Sequence, residues 1–300
     1  MSDVMVSVCV LSYNHEKYLR QCLDGIFMQE VSFPIEVRVH DDASTDRSQE
    51  IINEYQQRYP DILKPILQSE NQYSKGGGIL NKFLLPLCEG KYIALCEGDD
   101  YWTDPLKLQK QVDFLESHED FSMCFHAARI SLEGVGASAI GAVCENIENR
   151  EYSSTEVFER WIVPTASIVF RQSDIKDFVV KHAEWLTRGD ICQVLKCAHV
   201  GKIFGMKDCM SVYRMQPSSV SHSAEYRGKE VYDLPNHFRC IYYNFPKVDK
   251  APIKWNISHA YYSRMKAEKG IVRKVRDFVL FLCWDPRWAF QKITHLARKR

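Results

Sequence analysis

Apolar positions along the chain switch between two spacings. Met5 to Leu11 (MVSVCVL) is a short β-branched run of the kind a buried strand uses. Glu16 to Met28 then sets Tyr18, Leu19, Cys22, Leu23, Ile26 and Phe27 at helical spacing. Ile35 to Val39 predicts a second strand. The polar turn that follows carries capping residues Ser44, Thr45 and Asp46 and opens a helix to about Tyr59. Ile62 to Leu67 predicts a third strand, Gly76-Gly77-Gly78 leads into a helix-like segment ending at Cys88, and Lys91 to Leu95 is a fourth strand. Strand and helix alternating at this rhythm predict parallel βαβ units with right-handed crossovers. Further on, the pattern predicts helices over 106–116, 155–161 and 175–185, another helix to about His199, and strands over 122–128, 167–170, 202–204 and 211–214. Ser131 to Asn149 reads as an irregular surface excursion, and the chain beyond about Tyr226 as helical.

In a parallel sheet of this kind, ligands sit beyond the carboxyl ends of the strands. Ser12-Tyr13-Asn14, His40-Asp41-Asp42 and Glu97-Gly98-Asp99-Asp100 all fall at such ends, so three turns converge on one expected site. The last is the most unusual. Glu97, Asp99 and Asp100 crowd one turn, Asp104 follows, and the first basic residue after them is Lys107. Either the turn is simply solvated, or its cation arrives as a ligand: clustered carboxylates suit Mg²⁺ or Mn²⁺, which take further oxygens from a phosphate.

The other motifs are open in the same way. Asp41 and Asp42 can cap the next helix or accept hydrogen bonds from a base or ribose. Tyr13 can be core or can stack on a flat base. Gly76 to Gly78, with Lys75, is either a flexible loop or a close approach to a diphosphate. Asp190, after Gly189 and before a helix, is either a helix cap or a reactive carboxylate. The 10 histidines form no HxxxH or HExxH pattern.

Composition sets bounds. The 300 residues are 45% hydrophobic and 26% charged with zero net charge, ordinary globular values that give no electrostatic case for nucleic acid. The 11 cysteines are scattered without a CxxC pair. No signal-like or membrane-spanning apolar run is present, so the expected setting is the cytoplasm with reduced thiols. Charge is uneven, however: Ser263 to Arg300 holds 11 Lys and Arg against 3 Asp and Glu. Its basic residues interleave with Val, Ile, Phe and Trp at helical spacing, with Pro286 dividing two short helices. That pattern fits either peripheral contact with anionic lipid through 270–300 or helices packed on the rest of the chain.

The order VSVCVLSYNHEKYLRQCLDGIFMQ, IEVRVHDDASTD, GKYIALCEGDDYWTDPLKLQKQVDFL and a later GD resembles the inverting family 2 glycosyltransferases over roughly residues 5 to 215. The resemblance implies an α/β GT-A fold with a mostly parallel, Rossmann-like central sheet over 1–225 and a helical basic extension over 226–300. It implies that Tyr13 packs on the nucleotide base and that Asp42, with Asp41, binds base or ribose. Leu11, Asn14, Asn71 and Lys75 join them on the nucleotide-sugar side. Asp99 would face ribose and metal, Asp100 the metal, and Asp190 would be the general base. Where the family often has Asp, this chain has Glu97. Where the family often has His after YRx, this chain has Gln216, with His222 nearby in sequence.

The expected function is therefore metal-dependent transfer of a sugar, with inversion, from a nucleotide-diphosphate sugar to a glycan or lipid-linked saccharide. A UDP-sugar is the favoured donor and Mn²⁺ or Mg²⁺ the cofactor. A non-catalytic nucleotide-sugar-binding subunit of a polysaccharide assembly complex is the alternative, against which Asp190 speaks. A nucleotidyltransferase would need a Gly-rich loop with Arg and Lys after the first strand, and Ser12-Tyr13-Asn14-His15 is unlike one.

Overall fold

The first strand, β1 (Val6–Ser12), is buried on both faces, as a Val-rich strand in the middle of a parallel sheet must be. The structure is a computed structural model and describes residues 3–76, 78–132, 146–216 and 224–297. Helix α1 (Leu19–Phe27) buries Leu19, Cys22, Leu23 and Ile26, one stripe at helical spacing. Then come β2 (Ile35–Asp41), α2 (Ser48–Arg58), β3 (Leu63–Leu67), β4 (Tyr92–Glu97), β5 (Tyr101–Trp102), α3 (Lys107–Ser117) and β6 (Phe121–Leu132). After these follow β7 (Arg150–Tyr152), α4 (Ser154–Arg160), β8 (Val169–Arg171), α5 (Gln172–Lys176), α6 (Gly189–Val200) and β9 (Lys202–Met215).

One nine-stranded sheet holds them in the order β3-β2-β1-β4-β8-β6-β9-β5, with β7 on β9. The first four strands are mutually parallel. Beyond β4 the sheet is mixed, with β8 antiparallel to both neighbours and β6 parallel to β9. Register sets Ser12 beside Asp41 and Leu11 beside Glu97, so the three polar strand ends lie side by side.

Three segments depart from the sequence pattern. Ile175 to Trp185 is not one helix: α5 stops at Lys176, where Asp177 meets the negative end of the helix dipole, and His182 turns left-handed at φ 59°. The two strands over 202–204 and 211–214 are one strand, β9, whose polar Lys207-Asp208 is accommodated by a bulge between Met206 and Cys209. The stretch before Cys88 is a set of short turns, Tyr73–Lys75, Leu80–Leu84 and Leu85–Leu87, because Pro86 cannot donate the hydrogen bond that a continuing helix needs. Most of the excursion over 131–149 and all of His222 lie outside the described residues.

The described cysteines are free thiols, most of them buried; Cys9 and Cys88 bring their sulfurs within 3.4 Å. The core also holds a cation. Lys107 is fully buried, its Nζ 4.0 Å from the centre of the Trp102 ring and without a hydrogen-bond partner among the described residues. Burial brings its pKa down from 10.5 to about 7. Between those values the unfolded chain holds a proton that the folded chain releases, so stability rises with pH from about 7 to about 10. Lys107→Met is expected to flatten that rise and to add on the order of 3 kcal/mol at neutral pH, read by urea unfolding at several pH values.

The chain divides into two compact units. The first holds the sheet and its helices, up to Phe178 and from Gln193 to Gln216; the second holds Val179–Cys192 and the C-terminal helices. Those helices are α7 (Ala224–Asn244), α8 (Lys250–Ala267), α9 (Ile271–Trp284) and α10 (Pro286–Ala297). Within the second unit Arg264 of α8 grips Asp277 of α9 with two 2.8 Å bonds, and Ser258 Oγ donates to the Phe281 carbonyl at 2.8 Å. Among the described residues no helix is long and apolar enough to cross a membrane.

Candidate active site

The ends of β1 and β2 are tied together before any ligand is considered. Asp42 N–H donates to the Ser12 carbonyl at 2.9 Å. Asn14, left-handed at φ 56°, accepts from Thr45 N–H at 2.8 Å through its side chain, while its own N–H donates to Ser44 Oγ at 2.8 Å. Asp41 is fully buried and accepts from Ser44 N–H at 2.9 Å and Gln49 Nε2 at 2.8 Å. Asn14 and Asp41 therefore spend these bonds on shaping the loop. Asp42 is buried too, and its two carboxylate oxygens accept from the backbone of Gln72 and Tyr73 at 2.7 and 3.0 Å. Asn71 donates to the Asp42 carbonyl at 3.3 Å and accepts from Ser74 N–H at 2.8 Å. Lys75, exposed, pairs with Glu70. Tyr13 stands between the strand ends with 37% of its surface open. Gly76 and Gly78 both adopt positive φ, 132° and 71°; residue 77 lies outside the described residues.

The acidic turn closes the other side. Asp100 N–H donates to the Glu97 carbonyl at 2.9 Å, and Gly98 N–H to the Leu11 carbonyl at 2.8 Å, which is how β4 hands its end to β1. A β-carbon on Gly98 would come within 2.7 Å of His15 Nδ1, so glycine is what lets this turn lie flat. Asp100 is fully buried. One carboxylate oxygen accepts from Arg214 N–H at 2.8 Å, and the other has no hydrogen-bond partner among the described residues. Burial, then the neighbouring Asp99 and Glu97 charges, pushes its pKa well above the usual carboxylate range. Asp99 accepts from Gln216 Nε2 at 3.1 Å and lies 3.9 Å from His15 Nε2. Burial lowers the His15 pKa, against the pull of Asp99, Asp46 and Asp41.

Asp104 is not part of this group: it accepts from Leu106 N–H at 2.8 Å in the turn that enters α3 and pairs with Lys110 at 2.7 Å. Lys107, the cation nearest in sequence, faces Trp102 in the core instead. Arg214 serves the turn in another way, donating from its guanidinium to the Asp99 carbonyl at 2.5 Å while lying over the Tyr18 and Tyr101 rings. Arg214 and His15 are site residues that spacing did not reveal, since neither stands in a charged or periodic pattern.

Among the described residues no group of three or more His, Cys, Asp or Glu side chains is arranged as a metal cage. An orphaned, buried carboxylate oxygen on Asp100 beside the Asp99 carboxylate nevertheless fits a hard cation that completes its shell with phosphate and water.

Asp190 belongs to the second unit, in the first turn of α6. The loop before it is braced by α7: Thr187 N–H donates to His237 Nδ1 at 3.2 Å, and Arg188 holds Glu230 with bonds of 2.9 and 2.6 Å. Burial raises the Asp190 pKa, against the Ile191 N–H and Arg188.

Comparison with known proteins gives the same architecture. S. aureus TarS (residues 1–349) in complex with UDP superposes with a TM-score of 0.65 at 18% identity, covering 95% of this chain and 82% of that one. The mannosyltransferase PcManGT from Pyrobaculum calidifontis, in complex with GDP-Man and Mn²⁺, gives 0.59 at 15% identity, covering 95% and 83%. Both define a fold of the GT-A type. Residues 7–176 match the sequence model of glycosyl transferase family 2, and the chain belongs to that family. An uncharacterized protein of Mycobacterium tuberculosis is 36% identical over 236 residues, 77% of this chain, and the match spans 65% of that relative's length.

Proposed function

We propose that this chain is a metal-dependent, inverting glycosyltransferase that uses a nucleotide-diphosphate sugar, with UDP as the favoured nucleotide. The observation that carries the reading is the acidic turn at the end of β4, where a buried Asp100 keeps one carboxylate oxygen unsatisfied beside Asp99. The fold is shared with proteins whose structures hold UDP or GDP-Man with Mn²⁺, which supports this donor class.

In this reading Tyr13 stacks on the base, while Asp42 and Asn71 fix the loop that borders the ribose. Leu11, Asn14, Asp41 and Lys75 complete the nucleotide side. Asp99 and Asp100 would hold Mg²⁺ or Mn²⁺, which when bound supplies positive charge to the diphosphate leaving group. Asp190 takes the proton of the acceptor hydroxyl as that oxygen attacks the anomeric carbon from the face opposite the diphosphate. A single displacement of this kind inverts the anomeric centre. A carboxylate whose pKa burial has raised is the stronger base for that step. The acceptor is a glycan or a lipid-linked saccharide, met in the cytoplasm or at the cytoplasmic face of a membrane to which the protein attaches peripherally.

Nucleotide release from a panel of nucleotide sugars, with Mn²⁺ and with excess EDTA, tests this. Release from one donor that EDTA abolishes is expected. Undiminished release in EDTA would overturn the metal assignment. Tight donor binding with no release on any acceptor panel would return the chain to a non-catalytic binding subunit.

A further inference from the structure

Helix α9 packs the reverse of an ordinary surface helix. The face it turns toward α8 carries Asp277, fully buried between Arg264 and Arg276, together with Phe281. The face it turns outward carries Ile271, Val272, Val275, Phe278 and Val279, every one of them exposed; Ile271 and Val272 are 73% and 80% open. These positions recur at spacings of three and four, so they form one continuous apolar arc. In α10, Phe290 and Ile293, three residues apart, are also exposed, Phe290 at 69%. A soluble helix has no reason to bury its aspartate and show its valines.

The charges around this arc are of one sign. Lys274 borders one side and Arg276 the other, with Arg273 beyond it. The three acids between Ser263 and Arg300 are each engaged within the chain. Asp277 is in the ion pair above, Asp285 accepts from Trp288 N–H at 3.1 Å, and Glu268 accepts from Lys269 N–H at 2.9 Å and Gly270 N–H at 3.1 Å and lies 3.7 Å from Arg273. With 11 Lys and Arg against these 3 acids, the segment stays net cationic along the apolar stripe.

We propose that the outer face of α9, with Phe290 and Ile293 of α10, is a seat for an anionic phospholipid surface. The apolar arc lies at the boundary of headgroups and acyl chains, and the flanking Lys and Arg meet the headgroup phosphates. The helix lies in the interface and does not cross it. This inference stands on α9 and α10 alone and does not depend on the catalytic reading.

The test is co-sedimentation of the full chain with vesicles of phosphatidylcholine mixed with phosphatidylglycerol, against phosphatidylcholine alone, at low and raised salt. The wild type is expected to bind the anionic vesicles, and to lose binding as salt rises. Val272→Glu/Val275→Glu is expected to lower that binding by about tenfold or more. Arg273→Gln/Lys274→Gln, which leaves both Arg264 and Arg276 on Asp277, is expected to lower it roughly tenfold on anionic vesicles only. Melting temperature and release of nucleotide from a soluble donor should be unchanged in both variants, which separates failure here from failure of the catalytic reading. Absence of wild-type binding, or equal binding by the variants, overturns the proposal. So does a wild-type dimer in sedimentation velocity that the Val variant dissolves without any vesicle binding, because the face would then be covered by a second copy.

Discussion

Replacing Asp100 with asparagine is expected to abolish sugar transfer and leave the protein as stable as before, or more so. Asparagine keeps the oxygen that accepts from Arg214 N–H, so the turn retains its clasp on β9. What it removes is a carboxyl buried beside Asp99 and Glu97, one oxygen of which has no donor among the described residues. A buried carboxyl that must either ionise beside two acids or give up its proton's solvation opposes folding, so its loss should not lower the melting temperature. If that oxygen is kept for a cation on the donor diphosphate, transfer should fall by at least about 10²–10³-fold, the usual scale for losing one electrostatic contact to a developing charge. Thermal melting and nucleotide release measured on the same preparation decide it. A variant within about tenfold of the parent rate would show that transfer does not need the Asp100 carboxylate.

Asp190→Asn carries the second large effect, and on a different quantity. The substitution preserves size and the contact with Ile191 N–H at the start of α6, but removes the proton acceptor. Transfer to the acceptor is expected to fall by roughly 10²–10⁴-fold while donor affinity stays near that of the parent. The braces on the loop, Arg188 to Glu230 and Thr187 to His237, are untouched, so a change in melting temperature is not expected. A normal transfer rate would make Asp190 a helix-start residue only and favour the binding-subunit alternative.

The parallel half of the fold was legible because its signal is local. A Val-rich run buried on both faces, a polar strand end and an amphipathic helix each announce themselves within about ten residues, and β1, α1, β2, α2 and β4 appear where the pattern set them. The failures came where a distant partner decided the local state. Lys207-Asp208 breaks a strand pattern on paper, but pairing with β6 carries β9 through it as a bulge. Lys107, the first basic residue after the acidic turn, gives no sign in the sequence that the packing of Trp102 takes it inward. Within the site, the carboxylates were visible as clusters, yet their division of labour was not. Asp41 holds Ser44 and Gln49 and Asp104 holds the turn into α3, whereas Asp100 keeps an oxygen without a donor among the described residues, and only the donors' positions separate these cases.

The clasp on Asp100 spans 114 residues of chain. During synthesis the turn emerges from the ribosome long before Arg214 does, and β5 and β6 both wait for β9 as their partner. Residues 7–176, the span matched by the family, include every carboxylate of the turn but not that strand. A nascent chain halted there exposes open strand edges, the surfaces most prone to misassociate. Fragments designed on the matched span alone should therefore be insoluble or silent, and an expression clone intended for assay has to run through Gln216.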